Sequence, residues 1–260
     1  MTTCSCPSST EPTSHDLASS EASIGFVAGA PKHHPEGCDL PCRLQREVAH
    51  AREALTDIYP AVSLFGGARV QPGSQPYEAA RETARLLAER GISVITGGGP
   101  GIMEAGNLGC VEATAPAGVR RGLSIGLNIR LPREQCGNPY QDIPLLFNHF
   151  ASRKVMFARN SVGFVAFAGG LGTLDEITEV LTLMQTNKMP RRPVVLVGRA
   201  LWAPLVGWLR DSVAAQGLMS VGDFDLFHVV DTADEVLATL ALDTVPVELD
   251  TDAQKAVSVT

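Results

Sequence analysis

No run of about 18 consecutive apolar residues occurs in this chain, which excludes a membrane-spanning helix on length alone. The first 30 residues also lack what a secretion signal needs: Ser, Thr, Pro and Glu stand where a basic start and an apolar stretch would be, so cytoplasmic residence is the expectation. Positive charge is in deficit. A net charge of −7 and an isoelectric point near 5.4 exclude a broad nucleic-acid surface, because counterion release needs clustered Lys and Arg, and any anion must be held locally. Lysine itself is rare, with only Lys32, Lys154, Lys188 and Lys255 in 260 residues. Two nucleotide signatures are missing as well. No glycine turn continues into Gly-Lys-Ser/Thr, which removes a P-loop, and none has the Gly-x-Gly-x-x-Gly spacing with an acidic residue about twenty positions on that a dinucleotide turn requires.

The six cysteines do not form a metal pattern. Cys4, Cys6, Cys38 and Cys42 share the N-terminal segment with His33 and His34, but Cys-Ser-Cys and Cys-Asp-Leu-Pro-Cys are not the paired Cys-x-x-Cys of structural zinc folds. Reduced thiols in a polar arm are the simpler reading, with Cys110 and Cys136 inside the core and no metal expected.

What the chain does contain is enough apolar material, 45% hydrophobic against 19% charged, for one substantial core. Residues 1–42 are rich in Ser, Thr, Pro, Gly and Glu without sustained periodicity and read as a disordered arm; 43–242 form the folded domain, and 243–260 a flexible tail. An amphipathic helix is expected over 44–58, carried by Leu44, Val48, Ala51 and Leu55 and stopped by Pro60. Strands are then expected at 61–65, 92–96, 123–129, 143–147, 162–168, 193–197 and 226–230, alternating with helices at 77–89, 102–113, 152–160, 173–187, 202–216 and 233–240. Strands joined through helices run parallel with right-handed crossovers, which gives an α/β fold with an open, doubly wound, mostly parallel sheet and helices on both faces in a single domain. Such sheets bind ligands beyond the carboxyl ends of their strands.

Two segments there carry chemistry. Ile92-Ser-Val-Ile-Thr-Gly97-Gly98-Gly99-Pro-Gly101 and Val162-Gly-Phe-Val-Ala-Phe-Ala-Gly169-Gly170-Leu171-Gly172-Thr173-Leu174-Asp175-Glu176 are each an apolar strand, a glycine cluster and a helix start. That arrangement lets backbone N–H groups approach an anion while the helix end adds partial positive charge. A third turn, Gly66-Gly67-Ala68-Arg69, should emerge at the same edge. On the helix after the second turn, Leu174, Ile177, Val180, Leu181, Leu183 and Met184 share one apolar sector, and Glu176 falls inside it. A carboxylate there needs a partner, and the alternatives are a functional acid or a rim carboxylate bonding backbone amides. Arg153 similarly projects between Met156 and Phe157, whereas Lys154 lies nearer the polar side. Arg153 and Glu176 are the natural pair to meet, since a planar guanidinium can bridge a carboxylate and a phosphate or ribose oxygen.

Three motifs in this order and spacing, Thr96-Gly-Gly-Gly-Pro-Gly-Ile-Met-Glu-Ala105, Ser152-Arg-Lys-Val-Met156 and Gly169-Gly-Leu-Gly-Thr-Leu-Asp-Glu176, resemble the signatures of the LOG ("Lonely Guy") family in its longer bacterial form, over about residues 44–242. Members are cytokinin-activating or purine nucleotide phosphoribohydrolases, some long described as lysine decarboxylases. The resemblance implies a Rossmann-like homodimer, with the site near its interface, that cleaves the N-glycosidic bond of AMP or N6-substituted cytokinin riboside 5′-monophosphates to free base and ribose 5-phosphate. It implies no metal or redox cofactor. By position, the family's Arg-Lys pair falls on Arg153 and Lys154, its phosphate turn on Gly170, Leu171, Gly172 and Thr173 with Leu174 and Asp175 following, and its catalytic glutamate on Glu176. Substrate contacts are further implied at Glu134, in a Pro-Arg-Glu stretch, and at Thr182. Two departures stand out: Ala168 replaces the family's usual proline before Gly-Gly, and Asn148-His-Phe-Ala-Ser replaces a shorter Met-His-Glu form before Arg153.

The implied mechanism follows from the bond. Loss of the base leaves positive charge on the ribose, so Glu176 beside the anomeric carbon would stabilise it or activate water, Arg153 would orient glutamate and ribose, and Gly97, Gly98 and Gly99 would join the second turn on the 5′-phosphate. One alternative keeps the fold without the chemistry, as a carrier of a phosphorylated nucleotide or of molybdenum cofactor. Another, lysine decarboxylation, needs a Schiff-base lysine that this lysine-poor chain hardly offers. Elsewhere, Trp202 and Trp208 read as helix packing and His228 as core. His149, Glu104 and Asn107 read as either ligand-facing or local structural groups.

Overall fold

The computed structural model describes residues 39–58, 60–117, 120–131 and 137–242. The expectations for the arm before residue 39, the tail after 242, and Cys136 therefore lie outside the described residues. Seven strands form one wholly parallel sheet: β1 (Ala61–Phe65), β2 (Ser93–Thr96), β3 (Ser124–Ile129), β4 (Ile143–Phe147), β5 (Gly163–Ala166), β6 (Val194–Val197) and β7 (His228–Val230). Their spatial order is β4-β3-β2-β1-β5-β6-β7. The winding direction therefore reverses between β1 and β5, whose register pairs Val62 with Gly163 and Phe65 with Ala166. A reversal leaves a crevice at the carboxyl ends of those two strands, because the connections leaving them diverge to opposite sides.

Alternation along the strands divides the core in two. Phe65, Ile95, Leu127, Phe164 and Leu196 pack against α1 (Leu40–Ala54), α4 (Phe150–Asn160), α5 (Leu171–Gln185) and α6 (Arg199–Trp208). Val62, Leu64, Val94, Val165 and Val197 face α2 (Gln75–Glu89), α3 (Ile102–Glu112) and α7 (Ala233–Leu240) on the other side. With both faces covered, the strands need no polar side, which is why their runs are almost continuously apolar.

Helix ends follow local chemistry, and there the structure departs from the periodicity. The first helix begins at Leu40, inside the stretch read as arm, because the Asp39 carboxylate accepts from Cys42 N at 3.1 Å and Pro41 suits the first turn. It ends at Ala54, before Pro60 can act. The helix expected at 202–216 is α6 to Trp208, then a π-turn over Leu209–Val213 and a 3₁₀ turn over Ala214–Gln216. Pro204 has no N–H to donate inside α6, and past Trp208 the chain first widens to the π-turn and then tightens to the 3₁₀ turn. Trp202 is packing as expected, its indole donating to Val197 O at 3.1 Å, but Trp208 is more than half exposed. His228 is not core. It is exposed because β7 is the last strand of the sheet and has nothing on one side. Among the described residues, no helix is long and apolar enough to cross a membrane.

Candidate functional site

Three turns leave the carboxyl ends of β2, β1 and β5 and stack backbone on backbone. Gly67 N donates to Ala168 O at 2.8 Å, and Gly67 O accepts from Ile102 N at 3.2 Å. The β1 turn thus ties the two glycine-rich turns together, and the alanine at 168 is anchored by its carbonyl.

The β2 turn is a rigid scaffold. Asn107, wholly buried in α3, accepts from Thr96 Oγ1 at 2.6 Å and from Asn138 Nδ2 at 2.9 Å and donates to Ser124 Oγ at 2.8 Å. Asn138 N and Gln141 Nε2 donate to Gly98 O at 2.8 and 3.0 Å, and Asn138 Nδ2 reaches Gly99 O at 2.9 Å. Asn107 is therefore structural. Glu104 is too, accepting from the Tyr77 hydroxyl at 3.3 Å. Gly97 has a more specific reason to be glycine. A Cβ there would lie 2.3 Å from Arg153 Nη2, so only glycine leaves room for the guanidinium.

Arg153 is the hub. It is 6% exposed, and its Nε donates to Leu127 O at 2.6 Å and its Nη2 to Gly97 O at 3.4 Å. Its guanidinium carbon lies 5.2 Å from the centroid of the Phe157 ring, and its Nη1 is 3.7 Å from Glu176 Oε1. The two side chains singled out on separate helical wheels, 23 positions apart, do meet. Burial pushes the Glu176 carboxyl up to about 7; Arg153 and Lys154 oppose that, while Asp175 and Glu179 add to it. Burial also depresses the Arg153 pKa, with Glu176 opposing. A carboxyl held near neutrality in a largely enclosed site is poised to lose or take a proton at physiological pH.

The second turn differs from the first. A Cβ at Gly170 or Gly172 would meet no protein atom within 4 Å, and neither glycine has a left-handed φ. Nothing in the protein itself demands glycine there; the bare backbone leaves α5's N-terminal amides approachable. Thr173 sits in that first turn at 3% exposure, and among the described residues its hydroxyl has no hydrogen-bond partner. Leu171 is exposed and Leu174 half-buried at the same helix start.

Other implied positions separate from this cluster. Lys154 Nζ is bound to Asp175 Oδ1 at 3.0 Å and Glu179 Oε2 at 3.3 Å, tying α4 to α5 beside the Arg153–Glu176 pair. Thr182 is exposed, its hydroxyl donating to Thr178 O at 2.7 Å, on a different face of α5 from Glu176. Glu134 lies outside the described residues. His149 is structural, with Nδ1 3.1 Å from Glu47 Oε1. Sequence reasoning missed Glu47 itself, which also accepts from Asn148 and Ser152. The signal was of the kind that found Glu176, an acid on the flank of the apolar sector formed by Leu44, Val48 and Ala51.

Comparison with known proteins bears on the family and the fold. A family model described as "Possible lysine decarboxylase" matches residues 103–240, more than half of the chain. The cytokinin riboside 5′-monophosphate phosphoribohydrolase LOG of Oryza sativa subsp. japonica is 29% identical over 164 residues, covering 63% of this chain and 65% of the rice protein. The chain thus spans just under two thirds of that relative's length. Among solved structures, the structural-genomics target TM1055 is 25% identical with a TM-score of 0.52, covering 72% of this chain and 99% of that one. The molybdenum cofactor binding protein of Rippkaea orientalis is 22% identical with a TM-score of 0.50, covering 72% and 98%, a likeness of fold alone. The motifs, the fold and the matched family model agree, and this chain belongs to the LOG family, the family to which that decarboxylase description is attached.

Proposed function

We propose that this protein hydrolyses the N-glycosidic bond of nucleoside 5′-monophosphates, AMP or its N6-substituted cytokinin counterparts, releasing the free base and ribose 5-phosphate. The carrying observation is the buried Arg153–Glu176 pair, 3.7 Å apart, beside a glycine turn whose open Cβ positions expose helix amides. In this reading the 5′-phosphate lies on the amides around Gly170, Leu171 and Gly172, and Thr173 supplies a hydroxyl donor. Binding at that remote anion places the sugar. As the C1′–N bond breaks, its electron pair leaves with the base and positive charge grows on the ribose. Glu176, ionised, stabilises that charge and takes a proton from the attacking water, whose oxygen bonds C1′; the departing base gains a proton from solvent or the site. Arg153 holds Glu176 and biases it toward the ionised form. In this reading the first turn is left off the phosphate: Gly97 makes room for Arg153 and accepts from it, and the space beside Gly98 is filled by Asn128.

Amine chemistry is disfavoured by Lys154. Burial lowers its pKa, but Asp175 and Glu179 outweigh that and raise it overall, which keeps the ammonium protonated where a Schiff-base lysine must be neutral. The proposed assembly is a homodimer with the site close to its interface. Its support is the exposure of Phe150 and Val155 on α4 and of Leu171 on α5, the helices joined by Lys154. Light scattering should then give twice the 27.5 kDa chain mass, and a monomeric mass would count against it.

The direct test is a product assay of the purified protein on a panel of nucleoside 5′-monophosphates: free base and ribose 5-phosphate support the reading, and tight binding without base release would favour a carrier. Gly170→Asp tests the phosphate turn. A carboxylate on those amides repels the phosphate, so KM for AMP should rise roughly 100-fold. The melting temperature should stay near that of wild type, because the new Cβ meets no protein atom within 4 Å.

A further inference from the structure

Glu47 lies in α1, outside the residues that the family model matches, and the reaction proposed above gives it no role. Its carboxylate, only 8% exposed, nevertheless ties α1 to the start of α4. Oε1 accepts from Asn148 N at 3.1 Å and from Asn148 Nδ2 at 3.0 Å and lies 3.1 Å from His149 Nδ1; Oε2 accepts from Ser152 Oγ. All of these groups belong to the first turn of α4 or the two residues before it. That helix has no cap of its own, since His149 at the N-cap position makes no side-chain capping bond. A carboxylate from another helix therefore braces the start of α4 from outside, through Asn148, His149 and the Ser152 hydroxyl, and puts negative charge beside its N-terminus. Burial pulls the Glu47 pKa up, but the bonds from Ser152, Asn148 and His149 outweigh it and the net shift is downward, so the carboxylate stays ionised.

Arg153 is one turn further on, and its backbone N–H donates to His149 O at 3.3 Å as the turn closes. Its Nη1 sits 3.7 Å from Glu176, long enough that a small rotation of the turn would break the contact. We propose that Glu47 is a positioning residue: by bracing the start of α4 from α1 it fixes the Arg153 guanidinium against Glu176, so the N-terminal helix is part of the catalytic apparatus. The inference rests on the proposed reaction. Its consequence is specific, because Arg153 lowers the Glu176 pKa while Lys154 assists and Asp175 and Glu179 oppose. Loosening Arg153 should raise that pKa and leave the phosphate turn, on a different helix, undisturbed.

The test compares wild type with Glu47→Ala and Glu47→Gln by kcat, KM for AMP and the pH dependence of kcat. For Glu47→Ala, kcat should fall roughly 10- to 100-fold with KM within about threefold, the size of a misplaced catalytic group. Its acid limb should move to higher pH, and Glu47→Gln, which keeps one acceptor oxygen, should fall between. A folded Glu47→Ala with wild-type kcat and limb overturns the proposal, and so does a loss of kcat with an unmoved limb, which a merely structural residue would give. If Glu47→Ala does not fold, the double variant Asn148→Ala/Ser152→Ala removes the Asn148 amide and Ser152 hydroxyl donors instead, and a limb shift in the same direction is required of it. If wild type releases no base, the reaction reading fails. The positioning claim is then decided by carboxyl NMR titration of Glu176 in wild type and Glu47→Gln: a raised pKa supports it and an unchanged one ends it.

Discussion

Glu176→Gln should lower kcat for base release by roughly 1,000-fold or more while changing KM for AMP little, because the change removes the negative charge and proton acceptor needed only as the glycosidic bond breaks. The measurement is initial-rate base release against AMP concentration, and wild-type rates in this variant would remove Glu176 from the mechanism. The pH profile carries a second signature. With its carboxyl pushed up to about 7, wild-type activity should climb through neutrality as Glu176 ionises, a limb that Glu176→Gln cannot show. Stability should follow the opposite course. A carboxyl whose pKa is raised on folding binds its proton more tightly in the native state, so stability falls as pH rises from the unfolded value of 4.5 to about 7. The full cost, roughly 3 kcal/mol, is present at alkaline pH. Denaturant unfolding at pH 5 and pH 8 should show this slope in wild type and lose it in Glu176→Gln.

Arg153→Ala should be nearly as damaging to kcat, by roughly 100-fold or more, and it should also destabilise the fold. The guanidinium satisfies Leu127 O and Gly97 O, lies against Phe157 and opposes the rise in the Glu176 pKa, and truncation removes all four contributions together. Losing hydrogen bonds and packing at a buried site costs about 3 kcal/mol. Because Arg153 holds the Glu176 pKa down, residual activity should appear only at higher pH than in wild type. Arg153→Lys should not rescue it, since one ammonium cannot span a strand carbonyl, a turn carbonyl and a carboxylate. Unchanged kcat with only a lower unfolding midpoint would make Arg153 a structural residue.

Wheel arithmetic placed an acid and a base on inward faces of two helices, and Arg153 and Glu176 do lie there. This succeeded because a charged side chain in an apolar sector is a costly exception that few arrangements satisfy. The same arithmetic could not separate the two glycine turns. Both read as anion cradles, yet the space beside Gly97 and Gly98 holds Arg153 and Asn128, and only that beside Gly170 and Gly172 is open. What a missing side chain makes room for depends on groups arriving from distant parts of the chain. Lys154 illustrates the same point, since the family resemblance implies a substrate contact whereas Asp175 and Glu179 on the next helix occupy its ammonium.

By itself, then, the amino-acid order determined the alternation of strands and helices, the parallel sheet that alternation requires, and the identity of the two buried charged residues, because these depend on periodicity and on the cost of burying charge. Tertiary structure alone decided the strand order that puts the crevice between β1 and β5, the crowding beside Gly97 and Gly98 against the open space beside Gly170 and Gly172, and the reach of Glu47 across 101 positions to Asn148. Those depend on which surfaces meet when the layers close, and contacts between distant segments leave no period in the sequence.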